Sequence, residues 1–423
     1  MKKITAIIIS LMLVSDFIAA QTDTTFARTY IGFNEYLELV AAGNLGYAAE
    51  KFNIDISEAA IEQARVFNDP SLSFDYNYSE EGGIYTGFDI SSGIETTIAI
   101  SGKRRARIDL ARSESLLIRA IVDDYFRNLR ADAAIAYLEA LREGHLIRVK
   151  SDSYQTLRQL SAADSIRFAN GVIMEIDAIQ SKVEAGFLLN ELFEAEAAWR
   201  NALILLTQMT GRAEKNFTYF PSGSLQVLTR EFDQAALAET AIENRSDLLA
   251  ALNNKYVSQK LLQLVRKERV FDIDVRAAIE NSYINPGSDL AANAITAGFS
   301  VPLKFSNLNK GEIKMSQLQL AQAEELYRMA ELQVRTEIAI AYQNYKTTCQ
   351  QADSFEKGLL EGARDVLKGK IYSYERGESS LLEVLNSQRT YNEIQSAYYE
   401  TLFNRAAALV ELERAAGIWD IEF

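Results

Sequence analysis

The sequence predicts a mainly α-helical chain with a smaller β contribution, written as two tandem copies of one unit. Three observations predict it. Landmarks recur about two hundred residues apart, two long proline-free stretches favour helix, and two shorter regions alternate with period two.

The landmarks fix the frame. Phe168-Ala-Asn-Gly171 with Thr210-Gly211 downstream matches Tyr374-Glu-Arg-Gly377 with Ala416-Gly417. Gly43-Asn44-Leu45 likewise matches Glu243-Asn244-Arg245. The offset grows from about 200 to about 206 within a copy, so the second copy holds roughly six extra residues between its strand region and Gly377. The first copy then spans 21–225 and the second 226–423.

Residues 1–20 read as a signal peptide. Lys2 and Lys3 precede an apolar run from Ile4 to Val14, and Ala19-Ala20 supplies the small residues of a cleavage site. The run is too short to span a bilayer as a helix. Export is therefore expected. The rest of the chain has no apolar stretch long enough for a spanning helix, so any membrane span must be a β-barrel.

Formal net charge is −14, which disfavours a nucleic-acid partner. Catalysis and metal binding find no support. His145 is the only histidine and is expected on a helix surface; Cys349 is the only cysteine and is expected as a packed small hydrophobe. No cofactor is expected.

The elements follow in order. Each copy opens with a short helix, about 35–67 and 234–268, and continues through a strand hairpin. A long helix follows, about 103–165 and 305–370. All four prolines, Pro70, Pro221, Pro286 and Pro302, lie outside these long stretches. Ile313, Leu320, Tyr327, Val334 and Ala341 fall seven apart, as in a coiled-coil seam. A glycine turn, Gly171 or Gly377, leads to a returning helix that ends at Gly211 or Gly417. Residues 212–233 link the copies.

In the first hairpin Leu72, Phe74, Tyr76 and Tyr78 alternate with small or polar residues. Phe88, Ile90, Ile94, Ile98 and Ile100 continue that face, with Asp89, Ser91, Glu95 and Thr97 opposite, after a Gly82-Gly83 turn. The second hairpin sets Phe271, Ile273, Val275 and Ile279 against Asp272, Asp274, Arg276 and Glu280. Asn285-Pro286-Gly287 makes its loop, and Ile295, Ala297, Phe299 and Val301 return. Two readings fit: a small sheet half-buried on helices, or barrel strands with lipid on one face and a lumen on the other. Four strands cannot close a barrel alone, so the second reading forces oligomerisation.

Gly102-Lys-Arg-Arg-Ala-Arg107 opens the long helix where the dipole disfavours cations. It is either a solvated helix start or a phosphate contact at the membrane edge.

The duplicated order, the run Tyr374-x-x-Gly377-x-x-Ser380-x-x-Glu383-Val384-Leu385-x-x-Gln388, its echo Phe168-x-x-Gly171 with Asp177, and Asn68-Asp-Pro70-Ser-Leu72-Ser-Phe74 together resemble the TolC family of outer-membrane efflux proteins. The resemblance implies a homotrimer in the outer membrane of a Gram-negative cell. Four strands per protomer would close a twelve-stranded β-barrel in the lipid, and the helical hairpins would form a trimeric α-barrel tunnel in the periplasm. It implies a periplasmic adaptor gripping the tip at Asn170, Gly171, Val172, Gly377, Glu378 and Ser379, and an inner-membrane pump supplying energy. It also implies a periplasmic aperture at Asp177, Glu383, Asn386 and Tyr374. Relatives carry an Arg where Ser379 stands and an Asp where Asn386 stands, which leaves Arg376 as a candidate substitute in the closed-state latch. Drug, metal-cation and protein export share this architecture; the Gly102-Lys103-Arg104 run resembles channels paired with heavy-metal pumps. The competing reading is a periplasmic coiled-coil adaptor or scaffold without a barrel, which has no need of an apolar face on four strands.

Overall fold

The structure, a computed structural model, describes residues 27–81, 84–212, 217–226, 230–284, 291–303 and 308–421. The signal-peptide region and both expected hairpin turns, Gly82-Gly83 and Asn285-Pro286-Gly287, lie outside the described residues.

The first half runs β1 (Ala27–Ile31), α1 (Phe33–Gly43), α2 (Leu45–Arg65), β2 (Ser71–Glu81), β3 (Ile84–Ile98), α3 (Lys103–Ala169) and α4 (Glu175–Met209). The second runs β4 (Phe217–Pro221), α5 (Gln234–Asn244), α6 (Ser246–Glu268), β5 (Ile273–Ile284), β6 (Ala291–Ser300), α7 (Lys310–Ser354), a π-helical turn (Phe355–Leu359), α8 (Leu360–Glu375) and α9 (Leu381–Ala416). The same order of parts recurs. The strand-to-helix segment is short in one half, 99–102, and longer in the other, 301–309, which is where the second half's extra residues sit.

Helix α3 is 67 residues without interruption, about 100 Å at 1.5 Å per residue. It has no proline, and small or aliphatic residues, among them Ala131, Ala134, Leu138 and Leu141, recur along its buried face. The seam expected in the second half forms as well, with Val334 and Ala341 buried, and Ser316, Ala323, Ile338 and Tyr345 fill its alternate positions.

Three helix boundaries depart from the sequence expectation. The opening helices, expected as single elements over 35–67 and 234–268, each break after one third of their length. Asn44 interrupts the first: its side chain accepts from the Tyr47 amide at 2.9 Å and donates to the Met209 carbonyl at 3.0 Å. Arg245 interrupts the second, and its guanidinium donates to the Ala415 carbonyl at 3.1 Å. Side chains at equivalent places thus satisfy the last turn of each returning helix, whose terminal carbonyls have no partner within the helix. The third departure is in the long helix expected over 305–370. It breaks at the π-helical turn, where Gly358 takes φ +104° and Lys357 leaves helical dihedrals.

The two hairpins join into one antiparallel sheet of order β2-β3-β5-β6. Register puts Leu72 opposite Ile94, Tyr76 opposite Ile90 and Tyr78 opposite Phe88. It continues with Phe88 opposite Tyr283, Ile98 opposite Ile273, Val275 opposite Phe299 and Ile279 opposite Ile295. Directly opposed residues share a face, so every one of these apolar side chains lies on one side.

The core lies at mid-height, not under the sheet. β1 pairs in parallel with β4, tying the start of the chain to the segment between the halves. The buried Tyr137 hydroxyl sits between the Ile31 and Ser222 carbonyls at 2.9 and 2.5 Å and accepts from the Ser222 amide. Tyr36, Leu138, Leu206, Leu409 and Leu412 fill the space around it. Cys349 is buried in this core, as the sequence expects. His145 is half-buried, not solvated on a helix surface, because its ring stacks on Tyr399 at 4.5 Å; burial and Arg148 hold its pKa low.

Candidate functional sites: the sheet face and the helical tip

The apolar sheet face has no cover among the described residues. Leu72 is 67% exposed, Phe74 73%, Ile295 85% and Phe299 77%. Burying one such side chain is worth roughly 1.5–3 kcal/mol, so this many left in water would be prohibitive. The opposite face is polar and internally connected. Thr97 donates to Asp274 at 2.6 Å, Ser91 donates to Asp75 at 3.2 Å, and Arg276 pairs with Asp75 at 3.6 Å. One side suits hydrocarbon and the other water, as in barrel strands. Among the described residues no helix is long and apolar enough to cross a membrane.

At the far end the two glycine turns are built alike. Gly171 takes φ +72° and donates to the Phe168 carbonyl, while the Val172 amide reaches Arg167. Gly377 takes φ +79° and donates to Tyr374, while the Glu378 amide reaches Ser373. Both are Schellman closures, which glycine adopts without the Cβ clash of a left-handed residue. A Cβ at either glycine would meet nothing within 4 Å. Asn170, Val172 and Glu378 are exposed beside them, and Ser379 is half-buried with its hydroxyl donating to the Lys370 carbonyl at 3.4 Å.

Behind the turns the halves differ. Tyr374 is buried, and its hydroxyl donates to Asp164 Oδ1 at 2.9 Å. Burial first, then the Asp164 carboxylate, hold its phenol far above the ordinary range. Arg167 packs 4.7 Å from the Tyr374 ring centroid and stands 3.6 Å from Asp164. Asp164 is fully buried, and its Oδ2 has no hydrogen-bond partner among the described residues. Asp177 acts on the same phenol through space and raises its pKa further. Glu383 instead accepts from Lys370 at 2.5 Å, and this bond holds its carboxyl below the usual range. Asp177 and Glu383 both occupy the third position of their helices, where the dipole favours acids, and Ser380 caps α9 by accepting from the Glu383 amide at 3.4 Å. Asn386 is exposed and borders a cleft with Gly358, Gly362 and Val366. Arg376 lies 4.2 Å over the Tyr372 ring.

Sequence reasoning missed Asp164, Arg167 and Lys370. A signal existed: Asp164 and Lys370 stand at equal distances before Gly171 and Gly377 and carry opposite charges. Deeper in the bundle Gln388 is buried, donating to Asn392 at 2.9 Å, and Asn392 pairs with Ser153. This layer keys α9 to α3.

A sheet with one exposed apolar face and too few strands to close, mounted on long helical hairpins that end in paired glycine turns, fits the protomer of an outer-membrane channel. Comparison with known proteins narrows the class. The Outer membrane efflux protein family matches residues 237–418. The cobalt-zinc-cadmium resistance protein CzcC of Cupriavidus metallidurans is 24% identical over 412 residues, 95% of this chain and 96% of that one. The outer membrane protein TolC of Salmonella enteritidis is 21% identical over 340 residues, 76% of this chain and 65% of that one. Among solved structures, CusC superposes with a TM-score of 0.74 at 13% identity over 92% of both chains. The Campylobacter jejuni CmeC outer membrane channel superposes with a TM-score of 0.76 at 15% identity over 91% of this chain and 85% of that one. The chain resembles TolC-family outer-membrane efflux channels along nearly all of its length and is an outer-membrane efflux channel, with its sheet in the outer membrane and its helices in the periplasm. A scaffold without a barrel is not favoured.

Proposed function

We propose that the chain, as two copies spanning 21–225 and 226–423, assembles as a homotrimer. Its twelve strands close one barrel and its hairpins enclose a passive exit duct. A periplasmic adaptor docks on Asn170, Gly171, Val172, Gly377, Glu378 and Ser379, and an inner-membrane pump supplies the energy. The chain itself performs no chemistry. One observation carries this reading: a four-stranded sheet whose outer face is predominantly apolar, and whose edge strands β2 and β6 have no partner among the described residues. An unpaired edge in lipid is untenable, so each β6 pairs with the β2 of a neighbour.

Asp177, Glu383, Asn386 and Tyr374 form the periplasmic aperture. The Tyr374–Asp164 hydrogen bond, made inside one protomer, holds α8 against α3 in the closed form.

The cargo is a heavy-metal cation. The full-length likeness to a cobalt-zinc-cadmium resistance protein supports this. So does the polar sheet face, where Asp75, Asp89, Glu95, Asp274 and Glu280 outnumber Arg276. Arg placed at Phe74 or Ile94 should cost roughly 2–4 kcal/mol at mid-membrane, while Arg at Asp75 should be tolerated. Equal tolerance on both faces removes the barrel. A deletion strain should become sensitive to zinc, cobalt or cadmium; sensitivity to dyes and drugs alone removes the cation reading.

A further inference from the structure

The junction between sheet and helices holds a cluster of cations at a helix start, where the dipole disfavours them. Helix α3 has no acidic residue in its first turn and begins Lys103-Arg104-Arg105, against its own dipole. The equivalent α7 carries Glu312 in its first turn.

The cations divide by what they touch. Lys103 is buried and pairs with Asp272 at 2.7 Å, clamping α3 to the entry of β5. Arg104 is different. Its guanidinium lies 3.9 Å over the exposed Phe67 ring, and its Nε donates to the Arg65 carbonyl at 2.7 Å. Its two terminal nitrogens have no partner among the described residues. Arg65 and Arg105 are exposed, and neither side chain has an ion pair among the described residues.

Around this cluster runs an exposed apolar rim. Phe67 is 72% exposed, Val66 56%, Ile100 49%, Phe271 42% and Leu303 66%. These residues stand between the apolar face of the strands and the helices, so the rim continues the lipid-facing surface to its periplasmic edge. An arginine stacked on an aromatic ring at that edge keeps its stem in apolar surroundings and its head in the interfacial layer.

We propose that Arg65, Arg104 and Arg105 form a collar that binds the phosphate of anionic phospholipids in the periplasmic leaflet. Charge complementarity selects the phosphate, since guanidinium forks match its oxygens. Continuity with the apolar rim selects a lipid over a free anion. The chain's formal charge of −14 makes a local cationic patch here unlike the rest of the molecule. The inference rests on the barrel reading above.

The test uses the detergent-solubilised full chain, titrated with phosphatidylglycerol, with phosphatidylcholine, and with inorganic phosphate, reading the melting midpoint. Phosphatidylglycerol should give a saturable upward shift that the other two do not reproduce. Each interfacial charge is worth about a fivefold change in affinity. R105Q, at an exposed side chain with no hydrogen bond or ion pair among the described residues, should therefore weaken the apparent affinity about fivefold, and R65Q/R104Q/R105Q on the order of a hundredfold. R119Q, remote from the rim and paired with Glu58, should bind as the native chain does. Unchanged affinity in R105Q and in the triple variant overturns the collar. So does an equal shift from inorganic phosphate, which would mark a plain anion site, or from phosphatidylcholine, which would mark general lipid binding. Recovery of the native protein without detergent in the soluble fraction overturns the barrel reading as well.

Discussion

The two long helices occupy equivalent places and differ in mechanics. Helix α3 runs 67 residues without a break. Its counterpart is divided by the π-helical turn at Phe355–Leu359 into α7 and α8. Asp152, exposed and regular in α3, stands where Gly358 stands in the second half. The two halves keep the same order of parts, but one holds an unbroken strut and the other a joint. Below the joint the copies differ again. In the first, a carboxylate is buried under Tyr374; in the second, Lys370 and Glu383 pair in solvent.

The strongest way to break this comparison is to place a break in the strut. Asp152→Pro removes an amide donor and crowds the preceding turn, at a cost of about 3 kcal/mol or more. Its melting midpoint should fall sharply. Near-native melting would show that α3 needs no continuity. Next in size is Tyr374→Phe, which leaves Asp164 buried without its donor and should destabilise by about 1–3 kcal/mol. Phe168 is its equivalent in the first half and is 42% exposed, so Phe168→Tyr should be close to neutral. Equal effects would erase the difference between the tips.

The joint itself predicts a change of sign. Gly358→Ala forces a Cβ onto φ +104° and should destabilise by roughly 1–2 kcal/mol. Gly362 and Gly369 lie in the regular, exposed part of α8 with open space at the Cβ position, and alanine at either should stabilise by about 0.5–1 kcal/mol. Thermal melting of the three variants side by side decides it; stabilisation by Gly358→Ala would mean that the turn relaxes into plain helix.

The smallest effect belongs to Lys370–Glu383, an exposed pair. Lys370 holds the folded-state pKa of Glu383 below its unfolded value. The pair's contribution is therefore present above the unfolded value of about 4 and is lost as pH falls through the folded one. Lys370→Met should lower the melting midpoint slightly at pH 7 and low salt, and not at all in about 1 M salt. A deficit that persists in high salt would mean that Lys370 matters through packing.

The lipid face was legible because its signal is short-range. Period two in Leu72–Tyr78 and Ile90–Ile98 survives whatever the sheet pairs with, since a strand's faces are set by its own backbone. The tip glycines were legible for the same reason. The helix breaks at Asn44 and Arg245 were not, because their partners, Met209 and Ala415, lie far along the chain. The joint at Gly358 was hidden differently: one glycine in a helical pattern is tolerated and gives no sign of which backbone it adopts. Asp164 looked like any solvated helix carboxylate, since its burial depends on a tyrosine in the other half. The β1–β4 pairing was equally out of reach, joining two five-residue segments far apart along the chain, Ala27–Ile31 and Phe217–Pro221.

The open edges of the four-stranded sheet have a genetic consequence. In the proposed trimer a protomer is a third of a barrel wall, so no copy would complete its insertion alone, and two neighbours would supply each protomer's missing hydrogen bonds. Assembly then depends steeply on local concentration. It also means that a protomer defective at one edge is not merely lost. In a cell expressing defective and native copies equally, most rings would include at least one bad seam, so such an allele should act dominantly where a simple null would be recessive.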